Sequence, residues 1–125
     1  MMIKQLLWVG LGGGLGSILR FLVSVLTAKQ GYVGAFPLAT FSVNLTGCLL
    51  IGLLTGYSYR YGWLDADMKL LLITGFCGGY TTFSTFSLEN LHLLETHQYL
   101  PFALYLSGSL LLGAGAVALG LFLSK

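Results

Sequence analysis

Charge is what this sequence has least of. Six Lys and Arg and four Asp and Glu make up 8% of 125 residues, with two His beside them. A soluble domain carries about 25% charged residues, so most of this surface must face lipid. The net charge of +2 is scattered, and no Lys/Arg run exists to follow a phosphate backbone, which excludes nucleic acid as a partner. The two cysteines, Cys48 and Cys77, lie inside apolar runs without a CxxC or His/Cys cluster, so they read as free thiols acting as small hydrophobes. Nucleophilic catalysis lacks its parts, because no serine carries an activated-nucleophile motif and both His fall in one short stretch. Glu89-x-x-His92, with Glu95 nearby, has the spacing of a bundle metal site, but that site needs carboxylates from facing helices and the other apolar segments hold none. The early glycines do not form a dinucleotide fingerprint, since the sixth position from Gly10 is Leu15 and from Gly12 is Ser17. The chain is not read as an enzyme.

What is present is apolar length. Hydrophobic residues make up 56% of the chain and mean hydropathy is +0.86. Four segments, at residues 3–26, 37–59, 68–94 and 101–123, each reach the roughly 20 residues needed to cross a bilayer. Short connections join them, so the expectation is a single all-α membrane domain of four spans. The first run follows a lone Lys4 like a signal peptide, yet lacks a small-x-small cleavage pattern and is read as a retained span. Gly10/Gly14 and Gly12/Gly16 give it GxxxG spacing twice, and Gly113 to Gly120 make the second half of the last span a close-packing surface. Pro37 and Pro101 open the second and fourth spans. Tyr57, Tyr59, Tyr61 and Trp63 form an interfacial aromatic group.

The stretch from Thr74 to Ser87, TGFCGGYTTFSTFS, is written unlike a lipid-facing helix. Hydroxyls in hydrocarbon need a use, and glycine costs a helix interior about 1 kcal/mol against alanine. A helix broken near Gly78 to Thr81, whose freed groups handle an ion, is the expectation; a helix–helix packing face is the plainer account. Phe83 and Phe86, three apart, would share a helical face, and ring edges tolerate an anion. In the second span Thr40, Ser42 and Asn44 add hydroxyls and an amide, the amide offering two donors to an ion or an interhelical bond. Arg20 either snorkels or draws anions toward a vestibule. Neutral donors suit an anion. A small proton-coupled cation exporter, the rival of similar length, needs a carboxylate deep in the membrane, and Glu89 is read as lying where the third helix emerges into water.

Residues 75–87, GFCGGYTTFSTFS, resemble the signature of the Fluc (CrcB-type) fluoride channels, and the glycine-rich span ending in Arg20 and Thr40-x-Ser42-Val43-Asn44-x-x-Gly47 agree with it. The resemblance covers essentially the whole chain. It implies a passive fluoride-selective channel of the bacterial inner membrane, multi-pass, lowering cytoplasmic fluoride. It further implies a homodimer of oppositely oriented (dual-topology) subunits surrounded by lipid and enclosing two pores. On this resemblance Asn44, Phe83, Phe86, Ser84, Thr85, Tyr105 and Ser109 line the fluoride pore, with Thr40 and Ser42 beside them. Gly78 and Thr81 supply backbone carbonyls to a structural sodium ion (Na+) on the dimer axis. Ala39 stands where the family usually has Gly, and Gly113 where a further Ser can occur. The positive-inside count runs the other way on orientation, because Lys4, Arg60, Lys69 and Lys125 share one side against Lys29 on the other.

Overall fold

In the computed structural model, which describes residues 2–62 and 64–125, every regular element is helical. Helix α1 spans Met2–Lys29 and α2 spans Leu38–Tyr61. Helix α3 covers residues 66–80, α-helical at Ala66–Lys69, π-helical at Leu70–Cys77 and α-helical again at Gly78–Tyr80. Thr81, Thr82 and Phe83 are not helical. Beyond them α4 runs over Ser84–Glu95 and α5 over Tyr99–Leu123. Helices α1, α2 and α5, at 28, 24 and 25 residues, are long and apolar enough to cross a membrane. The third apolar segment is α3 and α4 end to end.

Backbone contact at glycine decides which helices pair. A Cβ on Gly12 would strike the Leu71 carbonyl, and one on Gly16 the Phe76 carbonyl and, at 2.7 Å, the Tyr80 nitrogen. From the opposite side, a Cβ on Gly75 would lie 2.9 Å from the Val9 carbonyl, and one on Gly79 would strike Gly13. Gly12/Gly16 thus interlock with Gly75/Gly79. Gly10 and Gly14 have nothing within 4 Å and take no part. The first span offers two overlapping GxxxG pairs, and only the complementary pair on α3 selects between them. Helices α2 and α5 meet in the same way, Gly52 against the Val117 carbonyl and Gly120 against that of Leu49. Lipid is as apolar as leucine, so such close approach is what brings membrane helices together.

Both contacts advance in the same direction along the two chains, so α1 is parallel to α3 and α2 to α5. Lys4 Nζ lies 2.9 Å from Asp67 Oδ2, and Gly56 abuts Ser124, which places the starts of α1 and α3 and the ends of α2 and α5 at one end. Asp65 caps α3 by accepting the Met68 N–H at 2.8 Å. Gly62, with φ 63°, closes α2 in the left-handed conformation that glycine adopts without strain. Tyr57 and Tyr61 stack at 5.9 Å, with the Arg60 guanidinium 4.9 Å from the Tyr61 ring. Trp63, expected in this aromatic group, lies outside the described residues.

An aromatic core joins the other elements. Phe86 and Leu93 of α4 pack on Tyr105 of α5, with Phe36, Phe41, Phe102 and Leu106 around them. The Phe86 and Tyr105 rings meet edge-on at 5.0 Å, a favoured arrangement for aromatic quadrupoles.

The interruption is displaced from where glycine weakness would put it. Gly78 (φ −63°, ψ −37°) is helical, and the backbone leaves the helix at Thr81 (φ −84°, ψ 160°). Gly79 serves close packing on Gly13, and the break is made by side chains from the neighbouring helices.

Candidate functional site

At the end of α3, Thr81 donates its N–H and its Oγ1 hydrogen to the Cys77 carbonyl, at 3.0 and 2.9 Å. The next N–H, that of Thr82, would ordinarily close a turn on Gly78. It goes instead to Asn44 Oδ1 at 2.8 Å, while Asn44 Nδ2 donates to the Thr82 carbonyl at 3.1 Å. The Gly79 carbonyl accepts from Arg20 Nε at 3.1 Å and from Ser17 Oγ at 3.5 Å. Past the gap, the Thr85 N–H donates to Thr82 Oγ1 at 3.3 Å rather than to the Thr81 carbonyl. Each unsatisfied backbone group in hydrocarbon costs several kcal/mol, so a break here needs partners of this kind.

On one side of Thr82 lies an open groove of about 500 Å³, lined by Asn44, Gly78, Thr81, Phe83, Phe86 and Ser109 among others. This groove gathers half of the residues expected at the site. The two phenylalanines open α4 together: Phe83 is its N-cap with helical dihedrals (φ −90°, ψ −36°), so the three-residue spacing brings both rings to the groove. Phe83 is 77% exposed on the subunit surface and Phe86 only 7%, their rings 6.0 Å apart and inclined at 42°. Ser109 Oγ is buried with no hydrogen-bond partner among the described residues, a polar atom held in reserve on the groove wall. Gly113, one turn further on, has space at its Cα: a Cβ there would sit 3.6 Å from Cys48 Sγ.

On the other side of Thr82 is a cavity of about 230 Å³ bearing Ser17, Arg20, Ala39, Thr40 and Thr85. Arg20 therefore does not snorkel to the membrane edge; it is tied to the broken helix and faces a chamber of hydroxyls. Thr40 and Thr85 also line a third cavity, of about 670 Å³, with Glu89, His92 and Glu95. Ser84 is exposed and lines none of these spaces. Nor does Ser42, which is two residues from both Thr40 and Asn44 and so, at about 100° per residue, points away from them.

Glu89 is half-buried and engaged by two neighbouring helices. Its Oε2 accepts from Thr40 Oγ1 at 3.0 Å and its Oε1 from Tyr105 Oη at 2.8 Å. A hydroxyl has one hydrogen. With both hydrogens on the carboxylate, Thr40 and Tyr105 offer only lone pairs to anything else. Tyr105 itself is fully buried, at 0% exposure. The sequence carried a signal for this: Glu89 is three past Phe86 and four past Thr85, hence on their face of α4. Among the described residues no three His, Cys, Asp or Glu side chains come together as a metal cluster.

Comparison with known proteins bears on what this arrangement does. The family model described as CrcB-like protein, Camphor Resistance (CrcB), matches residues 7–121. A protein named fluoride-specific ion channel FluC from Azobacteroides pseudotrichonymphae is 48% identical across 99% of this chain and 98% of its own length. Proteins of the same name from Flavobacterium psychrophilum and Phocaeicola vulgatus are 49% and 45% identical, each over 98% of this chain.

Proposed function

The chain belongs to the CrcB-like family, and from that membership we propose that it is a fluoride-specific ion channel, a multi-pass membrane protein that lets fluoride cross passively and so lowers cytoplasmic fluoride. The observation that carries this reading is a full-length relationship to fluoride channels, supported by a groove beside the helix break that holds Asn44, Phe83, Phe86 and Ser109. An ion channel is not an enzyme class. The small proton-coupled cation exporter is not favoured, since the relatives are fluoride channels over nearly their entire length.

Fluoride is small and holds its water tightly, so a route must replace that water with donors. Asn44, Ser109 and the ring edges of Phe83 and Phe86 line the groove side, and Thr85 with Arg20 lines the other. Arg20 supplies a fixed positive charge that raises the local anion concentration. Thr40 and Tyr105 enter the route only when Glu89 releases their hydrogens. Ser42 and Ser84 are the weakest of the proposed lining positions.

The groove is open, and a single subunit leaves Phe83 and Leu110 (61% exposed) uncovered beside it. A second copy in antiparallel orientation would close the groove into a conduit, giving the dual-topology homodimer. A sodium ion on its axis fits the residues present. The N–H groups that would have bonded to the Gly78 and Thr81 carbonyls are taken by Asn44 and by Thr82 Oγ1. Both residues also line the groove, where a hard cation would find oxygen ligands.

A fluoride-selective electrode reading efflux from loaded proteoliposomes tests the function directly. Fluoride should leave when potassium and valinomycin supply counter-charge, without ATP or a proton gradient. Equal chloride efflux, or an absolute need for a proton gradient, would overturn the reading.

A further inference from the structure

The third cavity, of about 670 Å³, lies at the end of the bundle away from the Lys4–Asp67 pair. The loop after α1, the start of α2 and one face of α4 enclose it. It shares Ser24, Ala39, Thr40 and Thr85 with the chamber that holds Arg20 and Thr82, so the two spaces form one path inward from the loops. On the α4 side Thr85, Glu89, His92 and Glu95 recur at intervals of three or four and occupy one wall.

The charge on that wall has the wrong sign for an anion's way in. Glu89 and Glu95 line the cavity, and among the described residues lining it there is no Lys or Arg. The other faces bring no ion to compensate. The α1 face offers Ser24 and Thr27, and α2 offers Thr40. The loop offers Tyr32, whose hydroxyl donates to the Phe36 carbonyl at 3.0 Å. From α5 the Tyr105 hydroxyl is spent on Glu89, and Arg20 is held at the Gly79 carbonyl one chamber further in. Among the described lining residues His92 alone can carry positive charge, and it is exposed. It forms no ion pair there with either carboxylate, so its charge would act on whatever occupies the cavity.

We infer that His92 sets how readily fluoride enters this path. Protonated, it offsets one carboxylate and draws the anion in; neutral, it leaves the entrance to Glu89 and Glu95. Imidazole is the side chain whose charge changes between about pH 5 and 8, so fluoride capture rises as the medium facing the cavity acidifies. His92 works through its field across an open space, which changes the rate of entry and leaves the narrow part of the route untouched. The inference rests on the fluoride-channel reading.

Initial fluoride efflux from proteoliposomes tests it, at low ionic strength and fluoride below saturation. The pH is equal on both sides, and the leak of neutral hydrogen fluoride through protein-free vesicles is subtracted. From about pH 8 to about pH 6 the wild-type rate should rise about twofold, the effect of one unit charge across a space of this size. His92→Gln should hold the high-pH rate throughout, and His92→Lys the low-pH rate throughout. A rise that survives in His92→Gln, as titration of Glu89 would produce, overturns the inference. So does a His92→Lys rate no higher than that of His92→Gln. Wild-type protein supplies a further check: the salt of a bulky impermeant anion should flatten the rise, because an exposed charge is screened within about 8 Å at physiological ionic strength. A rise indifferent to salt also overturns it. Fast efflux that is flat with pH removes this inference alone, whereas vesicles that retain fluoride at every pH remove the channel reading and this inference with it.

Discussion

Phe83 and Phe86 look alike in the sequence and are opposites in the fold. Phe86 packs on Tyr105 in the core, so Phe86→Ala should cost about 3–5 kcal/mol of stability along with any effect on conduction. Phe83 is 77% exposed on the subunit, so Phe83→Ala should leave subunit stability within about 0.5 kcal/mol and yet reduce fluoride efflux. Thermal unfolding beside efflux on both variants checks this; equal destabilisation would contradict the placement of Phe83. Glu89 invites a similar pairing. Glu89→Ala strips the acceptor from the buried Tyr105 hydroxyl and should destabilise by about 1–3 kcal/mol, while Glu89→Gln retains an acceptor oxygen and should cost about 1 kcal/mol. A Gln variant as unstable as the Ala variant would mean that the charge, not the hydrogen bond, holds Tyr105.

At the level of helices, glycine positions that are equivalent on paper should behave differently. Gly12→Ala, Gly16→Ala and Gly79→Ala each drive a methyl into the facing backbone, which cannot move aside as a side-chain tip can. Each should cost about 1–3 kcal/mol by forcing α1 and α3 apart. Gly10→Ala and Gly14→Ala meet open space and should be neutral or slightly stabilising, since alanine is the better helix former. Melting temperatures of the five variants in detergent decide the matter, and a uniform response would refute the interlock of Gly12/Gly16 with Gly75/Gly79. The π-helical stretch Leu70–Cys77 lies along this interlock and delivers Gly78 and Thr81 to the groove.

For the molecule as a whole, orientation in the membrane is the sharpest question. Lys4, Arg60, Lys69 and Lys125 belong to one end of the helix bundle, while Arg20 is engaged at Gly79 inside it and does not count toward either loop. The antiparallel homodimer predicts that a cysteine introduced at Lys125, in a variant lacking Cys48 and Cys77, reacts with membrane-impermeant maleimide from both faces of the membrane in about equal amounts. Reaction from one face alone would leave a single topology and remove the antiparallel dimer. Replacing external and internal sodium by a bulky organic cation should lower dimer stability or fluoride efflux if the Gly78 and Thr81 carbonyls share a sodium ion, and no change in either would dismiss that ion.

The sequence by itself determined the membrane class, the long apolar helices and the exceptional character of residues 74–87, because scarcity of charge, apolar run length and hydroxyls in hydrocarbon are local properties that no folding partner can alter. It also pointed to Asn44, Arg20, Phe83 and Phe86 as a set. Only the tertiary structure decided what each one touches. Two overlapping GxxxG pairs are indistinguishable until a partner helix presents its own glycines. Phe83 and Phe86 begin the helix beyond the break, and Asn44 and Arg20, reaching in from α2 and α1, hold the backbone before them at Thr82 and Gly79. Glu89 shows no partner within its own segment, and Thr40 and Tyr105 close on it from two other helices. Those outcomes depend on hydrogen bonds between residues far apart in the chain, which spacing within one segment does not contain.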